Sequence, residues 1–291
     1  MDTSAARRMW SLFEPIHDVA YFTPEVQQAG DAAGMRGFWM GYFAMRLAPL
    51  GPVGAEVATA VCHGFHPARV RRALPDAWDR ASPAEVLAAR LRGVDAALRR
   101  VWGTGLVESE TVHEAADLAW AAAVGADCAG RPLGAANQGL PRPEKPHLAL
   151  WQATTTLREH RGDGHIAVLV THQVGPVAAH LLKAAADESD LETVRIGRQW
   201  PEQDWTAAAD SLVSRGILDP DRRPAAAGRD LHRRIEAQTD AAAEQPWQAL
   251  GEGGTRRLAD LLAGLARTLV DAGVPPMPNA VGLVVEPAQT D

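Results

Sequence analysis

The stretch Ser211-Leu212-Val213-Ser214-Arg215-Gly216-Ile217-Leu218 runs through Asp219 to Pro224 into Ala225-Ala226-Ala227-Gly228-Arg229-Asp230-Leu231. It reads as the end of one helix, a turn and the start of another. Gly216 stops the first helix, because glycine alone takes up a left-handed C-terminal turn without steric cost. The Asp- and Pro-rich run from Asp219 to Pro224 then reverses the chain. Upstream, Gly175-Pro176 opens a helix over 176–187 and Trp200-Pro201-Glu202 opens the one over 202–215. Proline suits the first helical position, where its missing N–H would have no partner in any case. Helix, turn, helix, glycine stop, short hairpin and closing helix is the order this half predicts.

The same signals recur throughout. Ser82-Pro83-Ala84-Glu85 is a capping box, and Leu87, Leu91, Val94, Leu98 and Val101 follow at alternating steps of four and three. That predicts a helix over 83–102, ending at Gly103. Further helices are expected near 5–14, 24–31, 34–48, 53–62, 67–73, 110–124, 147–160, 165–173, 225–243 and 254–273. Short strand-like pieces occur only at 192–196, 217–219 and 281–285. The fold class is therefore mainly α. We expect two helical lobes, the second a winged helix-turn-helix, with a C-terminal helix packing back. Gly130 to Pro146, with four prolines, reads as a linker. The expected organisation is an N-terminal helical domain (1–129), a linker (130–146), a winged-helix-like domain (147–245) and a C-terminal helix and tail (246–291).

Composition narrows the function. The chain has 291 residues, a formal net charge of −7 and two cysteines, Cys62 and Cys128. The acidic balance argues against a protein that coats nucleic acid non-specifically. Two cysteines exclude a disulfide framework and an all-cysteine zinc site. No signal peptide is visible, and apolar runs such as Ile166 to Val170 are far too short to cross a membrane. We expect a soluble cytoplasmic protein without membrane attachment, a monomer or homodimer. There is no phosphate-binding loop, Rossmann glycine motif, nucleophile elbow or His-Glu-x-x-His pair, so no cofactor is expected.

The second half resembles MarR-like winged-helix proteins, whose recognition helix ends in a similar Leu-x-x-x-Gly-Ile/Leu-Leu run. Their wing leads to Thr-Pro-x-Gly-Arg-x-Leu, and here Ala225-Ala226-Ala227-Gly228-Arg229-Asp230-Leu231 lacks the Thr-Pro. The whole chain also resembles a bacterial family of helix-turn-helix-related proteins. The matching pieces include Glu14-Pro15-Ile16-His17, Tyr21-Phe22, Gly64-Phe65-His66-Pro67-Ala68-Arg69-Val70, Pro75-Asp76-Ala77-Trp78, Arg131-Pro132-Leu133, Leu157 to His165, Trp200, Trp205 and Thr239-Asp240. The resemblance implies a fold and no particular reaction.

DNA contact is weakly supported. A recognition helix needs Arg, Lys, Asn or Gln toward bases and cations toward phosphates. From Arg198 to Arg223 there are four arginines against five acids, and only Arg222-Arg223 at the wing suits the task. From His66 to Gly103 eight arginines face four acids, but such a run is commonly a solvated helix face.

Two constellations carry chemistry. Arg158-Glu159-His160-Arg161-Gly162-Asp163-Gly164-His165 packs two histidines, two arginines and two carboxylates into eight residues. Gly162 and Gly164 are expected to break the helix, so these groups crowd one tight turn, where Asp163 caps the next helix, or where a cluster shifts pKa values and moves a proton. His66 and Arg69 flank a helix start at Pro67, which suits an anion or simple capping. Zinc at Cys62, His63 and His66 lacks a second ligand pair at metal spacing, so no metal is expected. We expect His66, Arg69, His160, Arg161, Asp163 and His165 to meet between the lobes, with His17, Trp151, Arg158 and Glu159 completing a small-molecule pocket. The leading function is small-molecule binding on a winged-helix-related scaffold. One alternative is an enzyme of secondary metabolism using His160, Asp163 and His165 for acid–base work. The other is a ligand-responsive DNA-binding transcriptional regulator.

Overall fold

The computed structural model describes residues 4–186 and 191–276. Among them the chain forms fourteen α-helices, no β-strand and one isolated antiparallel bridge, Leu218 to Pro224. The mainly α class holds. No single described helix is long and apolar enough to cross a membrane.

The architecture is organised around α9 (Pro146–Thr171), which is buried on most of its circumference from His147 to Gly164. A helix apolar or buried all round belongs at the centre of a protein rather than on its surface. Around it pack α1 (Ala5–Phe22), α6 (Pro83–Val107), α7 (Glu110–Val124), α8 (Pro132–Gln138) and α13 (Ala226–Ala242). The larger core joins the first half of α9 to α1, α3 (Gly37–Leu47), α4 (Ala55–Val61), α6, α7 and α14 (Gln245–Asp271). The smaller core joins Leu169 at the end of α9 to α10 (Pro176–Ala185), α12 (Glu202–Ser214) and α13. The chain is completed by α2 (Pro24–Ala32), α5 (Pro67–Arg71) and α11 (Leu191–Arg198). As expected, the C-terminal helix packs back, here onto α1 and α7.

Three expectations need correction. The break at Gly162 and Gly164 does not exist, and α9 passes straight through both. Gly164 serves a close approach instead: a Cβ there would lie 2.5 Å from Nη1 of Arg131. Arg131 uses that space to donate to the carbonyls of His160 at 2.5 Å and Ala242 at 2.6 Å. The segment 130–146 is no open linker. Pro132 starts α8 at its first position, Leu133 is fully buried, and Gly134 lies so close that a Cβ would sit 3.0 Å from the His160 Cα. The two cores therefore share α9: its first half, inside the expected second domain, packs in the core of the first, and Leu169 at its end packs in the other. Finally, 192–196 is helical: Val194 packs with Val177 and Trp205, and partly buried Leu191 packs against them. The 217–219 piece supplies only Leu218 of the bridge, and 281–285 lies outside the described residues. At Gly103 helical geometry does stop, with φ 73° and ψ 163°, before one further turn.

Candidate functional site

Continuity of α9 decides where the sequence-chosen side chains go. Each helical step rotates a side chain by about 100°, so neighbours in sequence face different elements. His160 meets the Asp127 carbonyl at 3.0 Å, and Arg161 pairs with Asp240 on α13 at 2.7 Å. Asp163 accepts from the Gly134 N–H at 2.9 Å, and Nδ1 of His165 meets the Thr239 hydroxyl at 2.9 Å. Burial lowers His160 and His165 to about 4 and raises Asp163 to about 6. Both imidazoles are thus neutral at neutral pH, and neither is bonded to Asp163. The expected His–Asp couple is not assembled.

The His66 constellation is also used internally. His66 caps α5 by accepting from the Ala68 N–H at 3.2 Å, and its ring meets Trp200 edge-on at 4.8 Å. Arg69 lies 4.1 Å from the Trp39 ring centre and donates to the Ile196 carbonyl at 3.3 Å. Neither side chain lines a described cavity with the α9 cluster.

Three of the expected ligand residues do converge. His17, Trp151 and Glu159 line a cavity of about 240 Å³ enclosed by α1, α2, α3, α6 and α9. Its walls are apolar and aromatic, with Tyr21 and Tyr42 4.9 Å apart between ring centres and Phe38 stacked on Tyr42 at 6.2 Å. Sequence reasoning missed Arg46, Arg90 and Thr155, which also line it. Arg46 carried a usable signal, as the one charge in the apolar helix from Gly37 to Leu47.

The polar end of the cavity is buried. Arg46 grips Glu159 through Nε at 2.8 Å and Nη2 at 2.9 Å, and donates to the Tyr42 hydroxyl at 3.0 Å. Arg158 adds a contact to Glu159 at 3.1 Å. Burial alone would raise the Glu159 carboxyl, but Arg46 and Arg158 outweigh it and hold it at about 2. Nδ1 of His17 meets the Thr155 hydroxyl at 3.0 Å, while its Nε2 is buried without a partner. Burial, reinforced by Arg158, keeps His17 well below its ordinary value and hence neutral. Arg90 donates to the Met45 carbonyl at 2.9 Å and to Oε1 of Gln152 at 3.2 Å, leaving Nε unpartnered.

The remaining expected residues lie on another side of α9. Arg158, Arg161 and His165 line a cleft of about 150 Å³ against α1, α10 and α13. Its charges are largely matched, since Arg7 pairs with Glu236 and Asp240, and Arg161 with Asp240. Among the described residues no three His, Cys, Asp or Glu side chains gather as a metal site.

A family model described as a helix-turn-helix family matches residues 6–276. The chain belongs to that helix-turn-helix family. No curated protein matches it, and no solved structure does. In this helix-turn-helix protein, α11 and α12 are joined by a three-residue turn from Gln199, whose φ is 56°. The exposed face of α12 carries Glu202, Gln203, Asp210, Ser211 and Ser214. Beyond it Arg222 pairs with Asp210 at 3.1 Å and Arg223 with Asp221 at 3.6 Å.

Proposed function

We propose that this helix-turn-helix family member binds a small molecule in the cavity between α3 and α9. Binding sites are typically apolar and aromatic chambers with a few converging polar groups. The observation that carries the reading is the pair His17 and Arg90. Both line the chamber, and each holds a buried nitrogen without a protein partner. Native proteins rarely leave such groups unsatisfied, because each costs roughly 1–3 kcal/mol. A ligand in the chamber supplies the missing partner.

The regulator alternative draws support from the family, from the α11–turn–α12 unit and from the bridge at Leu218 and Pro224, at the place where a wing is expected. Arg198 of α11 also lies within electrostatic reach of Tyr42 in the cavity wall. The acidic and neutral face of α12 speaks against strong DNA contact. The acid–base alternative gains nothing from side chains that face three different neighbours.

The test is a thermal-shift screen of small aromatic and aliphatic metabolites against wild type and Gly41→Leu. Gly41 lines the cavity, and a Cβ there meets only Met35 at 3.9 Å, so a side chain can start from this position and take up cavity space. Compounds that stabilise wild type and not Gly41→Leu are the expected result. Stabilisation that is equal in both proteins would overturn the reading.

A further inference from the structure

We propose that the cavity selects a monoanion, a compact aromatic or unsaturated acid whose carboxylate pairs with Arg90. This inference rests on the cavity being the ligand site and adds the class of ligand.

Arg90 is 3% exposed. Each terminal nitrogen donates once, and to a neutral oxygen: the Met45 carbonyl and the Gln152 amide. Among the described residues no carboxylate lies within ion-pair distance of it. Glu159, which also lines the cavity, is held by Arg46 and Arg158. Asp18, buried on α1 with both oxygens unpartnered, feels Glu14 and Arg158 rather than Arg90. Burial lowers Arg90 to about 10, so it still carries its charge at neutral pH. A buried ion without a counter-ion is costly, and proteins normally pair it.

The other buried arginines behave differently. Arg46, Arg158 and Arg161 each hold a carboxylate. Arg69 and Arg198 hold none, and each guanidinium stacks on an aromatic ring, at 4.1 Å from Trp39 and 4.0 Å from Phe65; Arg90 lies over the Trp151 ring at a longer 5.0 Å, so its place in the cavity wall is what sets it apart. Neither Arg69 nor Arg198 lines the cavity. Arg90 alone among them combines a missing counter-ion with a place in the cavity wall.

His17 extends the argument. Among the described residues the Thr155 hydroxyl bonds only Nδ1 of His17. With that hydroxyl donating, the ring proton sits on Nε2, which is the orphaned atom. The two open positions, Nε of Arg90 and Nε2 of His17, are then both N–H donors. They call for acceptors, and a carboxylate offers two oxygens. Around them Tyr21, Tyr42, Phe38, Met35 and Met45 supply an uncharged wall for a flat body. The volume of about 240 Å³ is ample for one or two rings, given that an apolar cavity of about 150 Å³ accepts benzene.

The experiment is calorimetry with benzoate, cinnamate and naphthoate, each beside its primary amide, against wild type, Arg90→Met, Arg90→Lys and Gly41→Leu. In wild type at least one acid should bind about tenfold or more tighter than its amide, a difference of about 1.4 kcal/mol. Arg90→Met should bind the two alike, Arg90→Lys should keep the preference, and Gly41→Leu should bind neither. Equal binding of acid and amide by wild type, or a preference that survives in Arg90→Met, would overturn the anion inference while leaving the cavity standing. Absence of binding by wild type to all six probes, or binding undiminished in Gly41→Leu, would overturn the cavity reading itself. The wild-type comparison decides the matter even where Arg90→Met fails to fold.

Discussion

Arg46 and Glu159 face each other across the cavity wall through two parallel hydrogen bonds of 2.8 and 2.9 Å, with side chains 10% and 2% exposed. Glu159 is also the counter-ion of Arg158. Removing it leaves two buried guanidinium groups under-compensated. Glu159→Gln should destabilise the fold by about 3–5 kcal/mol, the range for breaking a buried pair from one side. Urea unfolding measures this, and a loss below about 1 kcal/mol would contradict it. Because Glu159 is held at about 2, its contribution is complete above the unfolded value of about 4.5 and disappears as pH falls toward 2.

A second acid sensitivity begins earlier. Burial holds His160 and His165 at about 4 and His180 at about 3. In the unfolded chain these residues titrate near 6.5. Between those limits the unfolded chain binds protons that the folded chain refuses, so stability falls as pH drops from about 6.5 toward 4. Asp163, raised to about 6, acts in the opposite direction, since the folded chain takes up its proton first. His17, His63 and His147 are lowered as well, and Glu14 and Asp18 are raised as Asp163 is, so six histidines against three carboxyls leave a net loss. Denaturant unfolding at pH 7.5, 6 and 5 should show declining stability, and His180→Gln should flatten the decline. A pH-independent stability over that range would contradict the buried, neutral histidines.

Much of the fold was legible in the sequence, because capping boxes, prolines at helix starts and glycine stops are local signals. The Ser82 box and the Gly103 stop worked for that reason. Gly162 and Gly164 misled because a glycine between helical segments reads as a break, whereas here Gly164 makes room for Arg131, a residue thirty-three positions earlier in the sequence. Pro132 misled similarly: a proline that opens a helix looks like linker punctuation. The site suffered from the same error. A supposed turn gathers Arg158 to His165, and a real helix disperses them. His17, Trp151 and Glu159 were named individually, but their partners Arg46 and Arg90 lie on α3 and α6, and no spacing along the chain links them.

Two glycine substitutions separate close packing from empty space. A Cβ at Gly228 would lie 2.2 Å from the Ile217 carbonyl oxygen, a backbone atom that cannot swing aside. Gly228→Ala should cost about 1–3 kcal/mol, as overpacking does. Gly264 sits inside α14 with nothing within 4 Å of a Cβ. Gly264→Ala should stabilise by about 0.5–1 kcal/mol through helix propensity. Thermal unfolding of the two variants should move in opposite directions.

Arg222 and Arg223, beyond α12, allow a direct check of the regulator alternative. Both are exposed and each faces an exposed acid, Asp210 or Asp221. Asp210→Asn combined with Asp221→Asn should tighten binding to duplex DNA at low salt and steepen its salt dependence, by a slope of about −0.9 for each additional phosphate neutralised. Salt titrations of duplex binding that are unchanged by the substitutions would remove these arginines from a DNA-binding role.

Occupation of the chamber between α3 and α9 is tested most directly by methyl NMR of the methionine-labelled protein titrated with benzoate, cinnamate and naphthoate in turn, the shifts being read with the acid that gives the largest response. Met35 and Met45 line the chamber, whereas Met9 lines a separate surface pocket. Ring-current shifts at Met35 and Met45 that saturate together, with Met9 unmoved, are the expected result. Saturable shifts at Met9 with Met35 and Met45 silent, or no shift at any of the three, would contradict the account.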